Sequence, residues 1–266
     1  MIKHVLTIAG SDSGGGAGIQ ADLKTFAAFG TYGLSVITAV TAQNTTGVIG
    51  VEVLPPSMIE KQLDAVFEDI RIDAVKIGMV ANQESIHVIA NKLRQYQPKI
   101  VILDPVMVST TGSRLLEQSA VEALKDELFP LATLITPNRF EAQILLNTQC
   151  NSLDEYIQAA KKLKGFTAGE VLIKGGHAMQ EEKAIDVLST GDVFETERVQ
   201  TKHDHGTGCS LSSAIAALMA KGWSLVKAIQ EAKEFVTEGL KHAYPIGAGA
   251  SPIHHFYRLW QQEEDS

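Results

Sequence analysis

One short stretch, His205-Gly206-Thr207-Gly208-Cys209, combines residue types that can bind an anion and accept a proton. The run of small and apolar residues from 210 to 220 that follows it predicts a helix. Glycines let backbone amides turn toward one point, and the positive end of a helix dipole adds to their effect. The stretch therefore predicts an anion-binding corner at the start of a helix.

Cys209 falls in the first turn of this predicted helix. Free amides and the helix dipole favour a thiolate there, so we expect the pKa of Cys209 to lie below the usual thiol value. A thiolate in that position can take a proton from a substrate. The alternative is that Cys209 is only a small residue packed at a helix start, with Gly206 and Gly208 shaping the turn.

Polar side chains also end several other predicted strands. They are Asp12, Gln43, Asp104, Asn138 with Glu141, and Lys174. In open parallel sheets, ligands bind outside the carboxyl ends of the strands. Phosphoryl transfer needs amides or a lysine around the phosphate, carboxylates for Mg²⁺ and an acceptor for the proton. We therefore predict that Asp104 and Glu141 hold Mg²⁺, the latter directly or through water, and that Lys174 contacts phosphate.

Each of these residues also has an ordinary structural interpretation. Asn138 and Glu141 have the spacing of a helix cap and its partner. Lys174 can be a solvated strand end, and Asp104 can be a turn former. Their joint occurrence at strand ends of one chain favours the catalytic interpretation.

Strands and helices alternate along the sequence. The apolar runs predict strands at 5–9, 34–40, 48–54, 73–77, 100–103, 133–136 and 171–174, and a hairpin from 184–188 and 193–199. Helical spacing predicts helices near 19–30, 59–67, 86–93, 116–128, 138–146, 154–163, 207–221 and 225–243, with Ser57 as the cap of the second. This alternation predicts an α/β fold whose mostly parallel sheet is covered on both faces. With no linker or repeat, we expect one domain over residues 1–266.

Bulk properties exclude several classes of function. The net charge is −8 and the basic residues are dispersed, so we expect neither a nucleic acid nor a membrane as partner. Two cysteines exclude a disulfide framework and a four-thiolate metal site. The opening residues lead directly into a strand-like run, so we expect a cytoplasmic protein.

A glycine loop follows the first predicted strand, and Gly16-x-Gly18-x-x-Ala21 fits a dinucleotide fingerprint. That fingerprint expects an acidic residue about 20 residues further on, whereas residues 34–50 contain no Asp or Glu. A P-loop motif is also missing from the sequence. We therefore interpret the loop as a wall of the substrate site. The paired histidines, 203 with 205 and 254 with 255, are expected to bond within the fold rather than to hold a metal.

The chain resembles the hydroxymethylpyrimidine/phosphomethylpyrimidine kinases of thiamine biosynthesis over nearly its whole length. The resemblance is carried by Leu6 to Asp12, Gly15 to Thr25, Thr41 to Thr45, Lys76 to Met79, Thr136 to Asn138 with Glu141, Lys174 to His177, His205 to Cys209 and Pro252 to Phe256. It implies a ribokinase-like three-layer α/β/α sandwich, a homodimer, and ATP with Mg²⁺. It also implies two successive transfers, to 4-amino-5-hydroxymethyl-2-methylpyrimidine and then to its monophosphate.

The resemblance also implies roles for individual residues. Gln43 would hydrogen-bond the aminopyrimidine, Ala17, Met79 and Val106 would line its ring, and Asp22 would lie beside it. Gly206 and Gly208 would form the anion hole, with Cys209 as the base. Nucleotide and phosphate contacts fall to Asp104, Asn138, Glu141, Lys174 and Thr207. Asp204 departs from the uncharged residue expected before His205, and its charge would oppose phosphate if it faced the site.

Two other functions remain compatible with the sequence. Pyridoxal kinases share the fold, and some related enzymes accept both rings, although Gln43 and Met79 favour the aminopyrimidine. A pyrimidine-binding protein that has lost phosphoryl transfer would bind its ligand without consuming ATP. The retained Lys174, Asp104, Glu141 and Cys209 argue against that second alternative.

Overall fold

A nine-stranded mixed sheet organises the chain, and the computed structural model describes residues 1–107, 116, 119–175 and 182–260. The strands are β1 (His4–Asp12), β2 (Tyr32–Asn44), β3 (Gly47–Val53), β4 (Ala74–Ile77), β5 (Val101–Leu103), β6 (Leu134–Ile135), β7 (Glu170–Lys174), β8 (Lys183–Leu188) and β9 (Val193–Glu197). The helices are α1 (Gly18–Ala28), α2 (Pro56–Asp69), α3 (Gln83–Tyr96), α4 (Ala120–Ala123), α5 (Arg139–Leu146), α6 (Leu153–Lys164), α7 (Thr207–Ala220) and α8 (Leu225–Lys241).

The sheet runs in the order β3, β2, β1, β4, β5, β6, β7, β8, β9. Neighbours from β2 to β7 pair in parallel, whereas β3 at one edge and β8 and β9 at the other are antiparallel. The carboxyl ends of the parallel strands therefore meet at one edge of the sheet. The predicted mostly parallel sheet is confirmed.

Side chains that alternate along the strands pack into two apolar cores, one on each face of the sheet. Leu6 and Ile8 of β1 pack with residues of α2 to α6 on one face. Val5 of the same strand packs with Phe26 of α1 and with α7 and α8 on the other. The period of two along a strand sends successive side chains to opposite faces, so the molecule has three layers. No helix within the described ranges is long and apolar enough to cross a membrane.

Two local predictions differ from the structure. The helix predicted over 116–128 is a short α4 that continues as a π-helical turn, Leu124–Leu128, and a 3₁₀ turn, Phe129–Leu131; residues 117 and 118 lie outside the described part. Ser57 is not the cap of α2, because the helix begins one residue earlier at Pro56, with Pro55 at the N-cap. Proline suits the first helical position, where its missing N–H costs no hydrogen bond.

Candidate active site

Asp12, the last residue of β1, folds the glycine loop around its carboxylate. Its Oδ1 accepts a hydrogen bond from the Gly14 amide at 2.8 Å, and its Oδ2 accepts from the amides of Gly16 and Ala17 at 3.0 and 2.8 Å. His205 Nε2 lies 3.1 Å from the same Oδ2. Burial would raise the pKa of Asp12, but the hydrogen bonds from His205 and the loop amides outweigh it and hold the pKa below its usual value. Asp12 is therefore a charged clamp on the loop.

The loop packs backbone to backbone against the corner that precedes α7. Gly206 has a φ of 77°, and a Cβ at this position would lie 1.8 Å from the carbonyl oxygen of Gly16. A Cβ at Gly16 would in turn lie 2.3 Å from Cδ2 of His205. Only glycine fits this contact, which brings the start of α1 and the start of α7 to the same place.

The start of α7 offers unbonded amides. The Ser210 amide donates to the carbonyl of Gly206 at 2.9 Å, and that of Thr207 donates to Asp204 at 3.4 Å. Within the described part of the chain, the amides of Gly208 and Cys209 donate to no backbone carbonyl. Such amides at a helix N-terminus can form an anion site. The structure thus supplies the amides of the predicted corner, and anion binding there stays a prediction.

Lys174, the last residue of β7, stands beside these amides. A Cβ at Gly208 would lie 3.2 Å from Lys174 Nζ and 3.7 Å from Asp104 Oδ2. Lys174 Nζ donates to Asp104 Oδ1 at 2.6 Å, and Thr136 Oγ1 donates to the same oxygen at 3.2 Å. Burial would lower the pKa of Lys174, but the charges of Asp104 and Glu141 raise it above its usual value. The interpretation of Lys174 as a solvated strand end is wrong, since its side chain is only 13% exposed and paired with Asp104.

Asn138 and Glu141 form the helix cap that their spacing allows. Asn138 Oδ1 accepts from the Glu141 amide at 2.9 Å, and Glu141 Oε2 accepts from the Asn138 amide at 2.7 Å. The capping interpretation is confirmed, and a nucleotide contact by Asn138 stays a prediction. Burial raises the pKa of Glu141 to about 7, with Lys174 opposing that shift and Asp104 adding to it.

The two carboxylates fit a magnesium ion that arrives with phosphates. No group of three or more His, Cys, Asp or Glu residues that could hold a metal ion exists among the described residues. Mg²⁺ in phosphoryl-transfer enzymes is often bound by one or two carboxylates, with phosphate oxygens and water completing its shell. Asp104 and Glu141 are both buried, and the charge of Asp104 contributes to the raised pKa of Glu141. The Mg²⁺ contacts therefore remain predicted for this pair.

The expectation of a lowered thiol pKa at Cys209 is wrong. Burial raises the pKa of Cys209 to about 11, and the carboxylates of Asp22 and Asp104 add to the rise. Lys76 and the Gly18 amide, which donates to the sulfur, oppose the shift but do not overcome it. The helix dipole that motivated the expectation is outweighed by burial and by two carboxylates from distant parts of the chain.

Asp22 also differs from its expected position beside the substrate. Its side chain is fully buried on α1, and both of its oxygens are bonded to protein groups. Lys76 Nζ lies 2.8 Å from each oxygen, Thr7 Oγ1 donates to Oδ2 at 2.6 Å and Ser213 Oγ donates to Oδ1 at 2.6 Å. The carboxylate therefore supports buried groups next to Cys209 rather than facing a ligand.

The residues predicted to receive the pyrimidine lie at or after the ends of β1, β2, β4 and β5. Met79 follows β4 and packs with Ala39 and with the partly buried Val106. Gln43 near the end of β2 lies next to the glycine loop, with its Nε2 3.1 Å from His205 Nε2. Ala17 is held in the loop by Asp12. The structure thus brings these four together at the carboxyl edge, while their contacts with a substrate stay predicted.

The paired histidines bond within the fold, as expected. His205 contacts Asp12 and Gln43, and His255 Nε2 lies 2.9 Å from Ser210 Oγ. His203 Nδ1 accepts from the Ser251 amide at 3.4 Å, and His254 packs between aromatic rings.

Sequence reasoning missed the part that Lys76, Thr7 and Ser213 play beneath the site. The available signal was a lysine inside the buried strand Ala-Val-Lys-Ile, which needs a charge partner.

Gly176 and His177 of the predicted motif lie outside the described residues. A cavity of about 430 Å³ that includes Ile70, Tyr96 and Lys99 lies at the opposite edge of the sheet and holds no predicted site residue.

The likeness to known proteins extends over most of the chain, and a family model described as phosphomethylpyrimidine kinase matches residues 12–254. The chain belongs to this family. It is 48% identical over 267 residues to the hydroxymethylpyrimidine/phosphomethylpyrimidine kinase of Rhizobium meliloti, covering 98% of this chain and 100% of that protein. It is 47% identical to the thiamine biosynthesis bifunctional protein ThiED of Geobacter sulfurreducens over 94% of its own length, and it spans 52% of that longer relative.

The fold of the family is also found in a solved structure of high similarity. An ADP complex of Bacillus subtilis pyridoxal kinase superposes with a TM-score of 0.90 at 39% identity, covering 97% of this chain and 100% of that chain. This agreement confirms the α/β architecture with helices on both faces of a mostly parallel sheet.

Gly206→Ala tests the contact between the glycine loop and the corner. An alanine there would be strained by the left-handed backbone, and its Cβ would clash with the Gly16 carbonyl. We therefore expect a loss of about 3 kcal/mol or more of unfolding free energy. Gly222→Ala, at the other end of α7, has a φ of 91° but nothing within 4 Å of its Cβ. This control should lose only about 1–2 kcal/mol. Urea unfolding measures both, and equal losses would contradict the steric part of the argument.

Glu141→Gln tests the carboxylate without removing the cap, because glutamine also serves as the partner in a capping box. We expect the Mg²⁺ concentration for half-maximal ATP turnover to rise at least about tenfold, since one anionic ligand is lost. Thermal unfolding should change little. Glu141→Ala should show the same Mg²⁺ effect and lose about 1 kcal/mol of stability with the cap. Unchanged Mg²⁺ dependence in both variants would exclude Glu141 as a ligand.

Proposed function

We propose that this protein is an ATP-dependent kinase that converts 4-amino-5-hydroxymethyl-2-methylpyrimidine to its monophosphate and then to its pyrophosphate in thiamine biosynthesis. The observation that carries the proposal is that free amides at Gly208 and Cys209 lie beside the mostly buried Lys174 ammonium. This cradle lies at the same sheet edge as Gln43 and Met79, the residues assigned to the pyrimidine. Membership of the phosphomethylpyrimidine kinase family supports the substrate.

In the first transfer, the hydroxymethyl oxygen attacks the γ-phosphorus of ATP. Its bond to hydrogen breaks and a bond to phosphorus forms, while the bond from that phosphorus to the bridging oxygen breaks and its electron pair leaves with ADP. The amides of Gly208 and Cys209 and the ammonium of Lys174 offset charge on the phosphoryl oxygens. The hydroxyl proton passes to the thiolate form of Cys209, which later releases it to water.

The nucleotide assignment rests on the same groups. The ADP bound by the Bacillus subtilis pyridoxal kinase supports ATP as the phosphoryl donor here. Asp104 and Glu141 would hold Mg²⁺, which neutralises phosphate charge and orients the transferred group. Thr207 and Asn138 lie next to these carboxylates and the amide cradle, at the starts of α7 and α5, and we assign them to the nucleotide phosphates.

Pyridoxal phosphorylation is the second candidate activity, because a pyridoxal kinase shares 39% identity and nearly the whole fold with this chain. We assign Gln43, near the end of β2, to an amino group and ring nitrogen of an aminopyrimidine, which pyridoxal lacks in that arrangement. We therefore expect pyridoxal to be the poorer substrate.

A homodimer and a cytoplasmic location complete the proposal. The edge strand β3 supports a dimer, because Ile49 and Val51 are exposed there at 82% and 43% without a lysine on the strand. Sedimentation velocity measures the mass of the particle in solution and so separates a dimer from a monomer.

Use of ATP and two free cysteines support a reducing, ATP-containing compartment. We treat residues 1–266 as one catalytic domain.

Phosphorus NMR tests the function. With ATP, Mg²⁺ and hydroxymethylpyrimidine, the monophosphate signal should appear first and the pyrophosphate signal should follow as it declines. The same assay with pyridoxal should give turnover at least about tenfold slower at equal concentration, because one hydrogen bond contributes about 1 kcal/mol or more. Monophosphate alone would remove the second transfer from the proposal, and faster turnover of pyridoxal would replace the substrate.

Cys209→Ala tests the proton acceptor. We expect the first transfer to slow about 10²–10⁴-fold, the usual contribution of a general base. The second should slow less than about tenfold, because a phosphate monoester is already ionised near pH 7. With a thiol pKa of about 11, the thiolate fraction rises with pH, so the wild-type first step should accelerate about tenfold per unit between pH 7 and 9. The variant should lose this slope.

The control for that variant is Cys150→Ala, since Cys150 is fully buried in the other core and absent from the site. It should leave both transfers unchanged. Initial rates of ADP release with each substrate give the comparison. Equal losses in the two transfers of Cys209→Ala, or a retained pH slope, would rule out the assignment of Cys209 as base.

A further inference from the structure

Helices α1 and α7 face each other beneath the site. Each helix contributes two residues, one helical turn apart, to this contact. Gly18 and Asp22 lie four residues apart on α1, and Cys209 and Ser213 lie four residues apart on α7, so each pair shares one helix face. The Gly18 amide donates to the Cys209 sulfur, and Ser213 Oγ donates to Asp22 Oδ1 at 2.6 Å. The thiol therefore sits directly above a carboxylate network.

Lys76 of β4 supplies the positive charge in this network. Its side chain is fully buried, and its Nζ lies 2.8 Å from both oxygens of Asp22. An ammonium has three N–H donors, and the described residues provide acceptors for two of them, both on Asp22. A Cβ at Gly78 would lie 2.9 Å from the same nitrogen, so the ammonium reaches the end of β4, next to Met79.

We infer that Lys76 is a positioning residue for phosphoryl transfer, the buried countercharge that stabilises the thiolate of Cys209. The inference rests on the proposed function, in which that thiolate receives the proton of the substrate. The ammonium acts through the sulfur and does not touch the substrate. Asp22, held by Thr7 and Ser213, fixes the ammonium in place.

The charges around Cys209 show why a countercharge is needed. Asp22 of α1 and Asp104 after β5 both disfavour a thiolate, and burial disfavours it more strongly. Lys76 opposes the rise in the thiol pKa more than any other group, while Lys174 at the end of β7 is bonded to Asp104. Without Lys76, a thiolate at Cys209 would be repelled by two carboxylates. In a site of low dielectric such repulsion is strong.

A buried ion pair is weak support for stability by itself, because apolar residues of the same volume often stabilise a fold as well or better. The chain contains a second pair of this kind, Lys233 and Asp186, with 2.7 Å between Nζ and Oδ2 and both side chains nearly buried. That pair is not among the groups that shift the pKa of Cys209. It therefore separates loss of an ion pair from loss of this particular countercharge.

Alkylation of Cys209 by iodoacetamide tests the inference without substrate or ATP. The parent is Cys150→Ala, which leaves one thiol. Below the thiol pKa the alkylation rate follows the thiolate fraction, partly offset by the greater nucleophilicity of a more basic sulfur. In Lys76→Met/Asp22→Asn, where both charges are removed together, the rate at pH 8.5 should fall about three- to tenfold. Lys233→Met/Asp186→Asn should alkylate at the parent rate.

A second variant keeps the test valid if the double variant does not fold. Asp22→Asn retains the bulk of the carboxylate and leaves the Lys76 ammonium without its anion, so alkylation should become faster than in the parent. Rates within twofold of the parent in the folded Lys76 variant, or slower alkylation in Asp22→Asn, would overturn the inference.

The kinase assay separates this inference from the proposed function. The first transfer should slow in Lys76→Met/Asp22→Asn by the same factor as alkylation, with the KM for ATP unchanged. Slower alkylation in a protein that phosphorylates no pyrimidine would uphold the countercharge and reject the proposed function. Alkylation at the parent rate in a variant that still phosphorylates the pyrimidine would reject the countercharge and uphold the proposed function.

Discussion

The close contact between Gly206 and the carbonyl of Gly16 is the constraint on which the rest of the site depends. It joins a loop near the start of the chain to a corner almost 200 residues later, with no side chain between them. Because the two backbones touch, the N-termini of α1 and α7 open toward the same place. Free amides, a thiol and an ammonium therefore meet at one edge of the sheet, where we propose that they act on one phosphoryl group.

Around that point, charges are balanced in pairs. Asp104 neutralises Lys174 near the phosphate cradle, Asp22 neutralises Lys76 beneath the thiol, and Asp12 takes its hydrogen bonds from the loop and His205. Asp104 and Asp22 each keep a lysine in its charged form, at a cost in desolvation that only close geometry offsets. We propose that the two ammonium groups serve separate partners, Lys174 a phosphate and Lys76 the sulfur of Cys209.

Much of the fold and part of the site could be predicted because their causes are local. The alternation of apolar runs and helical spacing placed nearly every strand and helix, and Asn138 with Glu141 had the spacing of the cap that they form. Polar residues at the ends of parallel strands had to meet at one edge. The cap of α2 was misplaced by two residues, because Pro55 rather than Ser57 is the N-cap and Pro56 is the first helical residue.

The sequence by itself determined the sheet, its layers and the set of side chains at its carboxyl edge, since periodicity and strand ends are properties of neighbouring residues. Only the tertiary structure decided the state of those side chains. Asp22 is bonded to Lys76, 54 positions away, instead of facing a ligand, and Lys174 is paired with Asp104, 70 positions away. The thiol pKa of Cys209 followed burial and distant carboxylates rather than its own helix, because an ionisation energy depends on every charge nearby and on the water excluded around it.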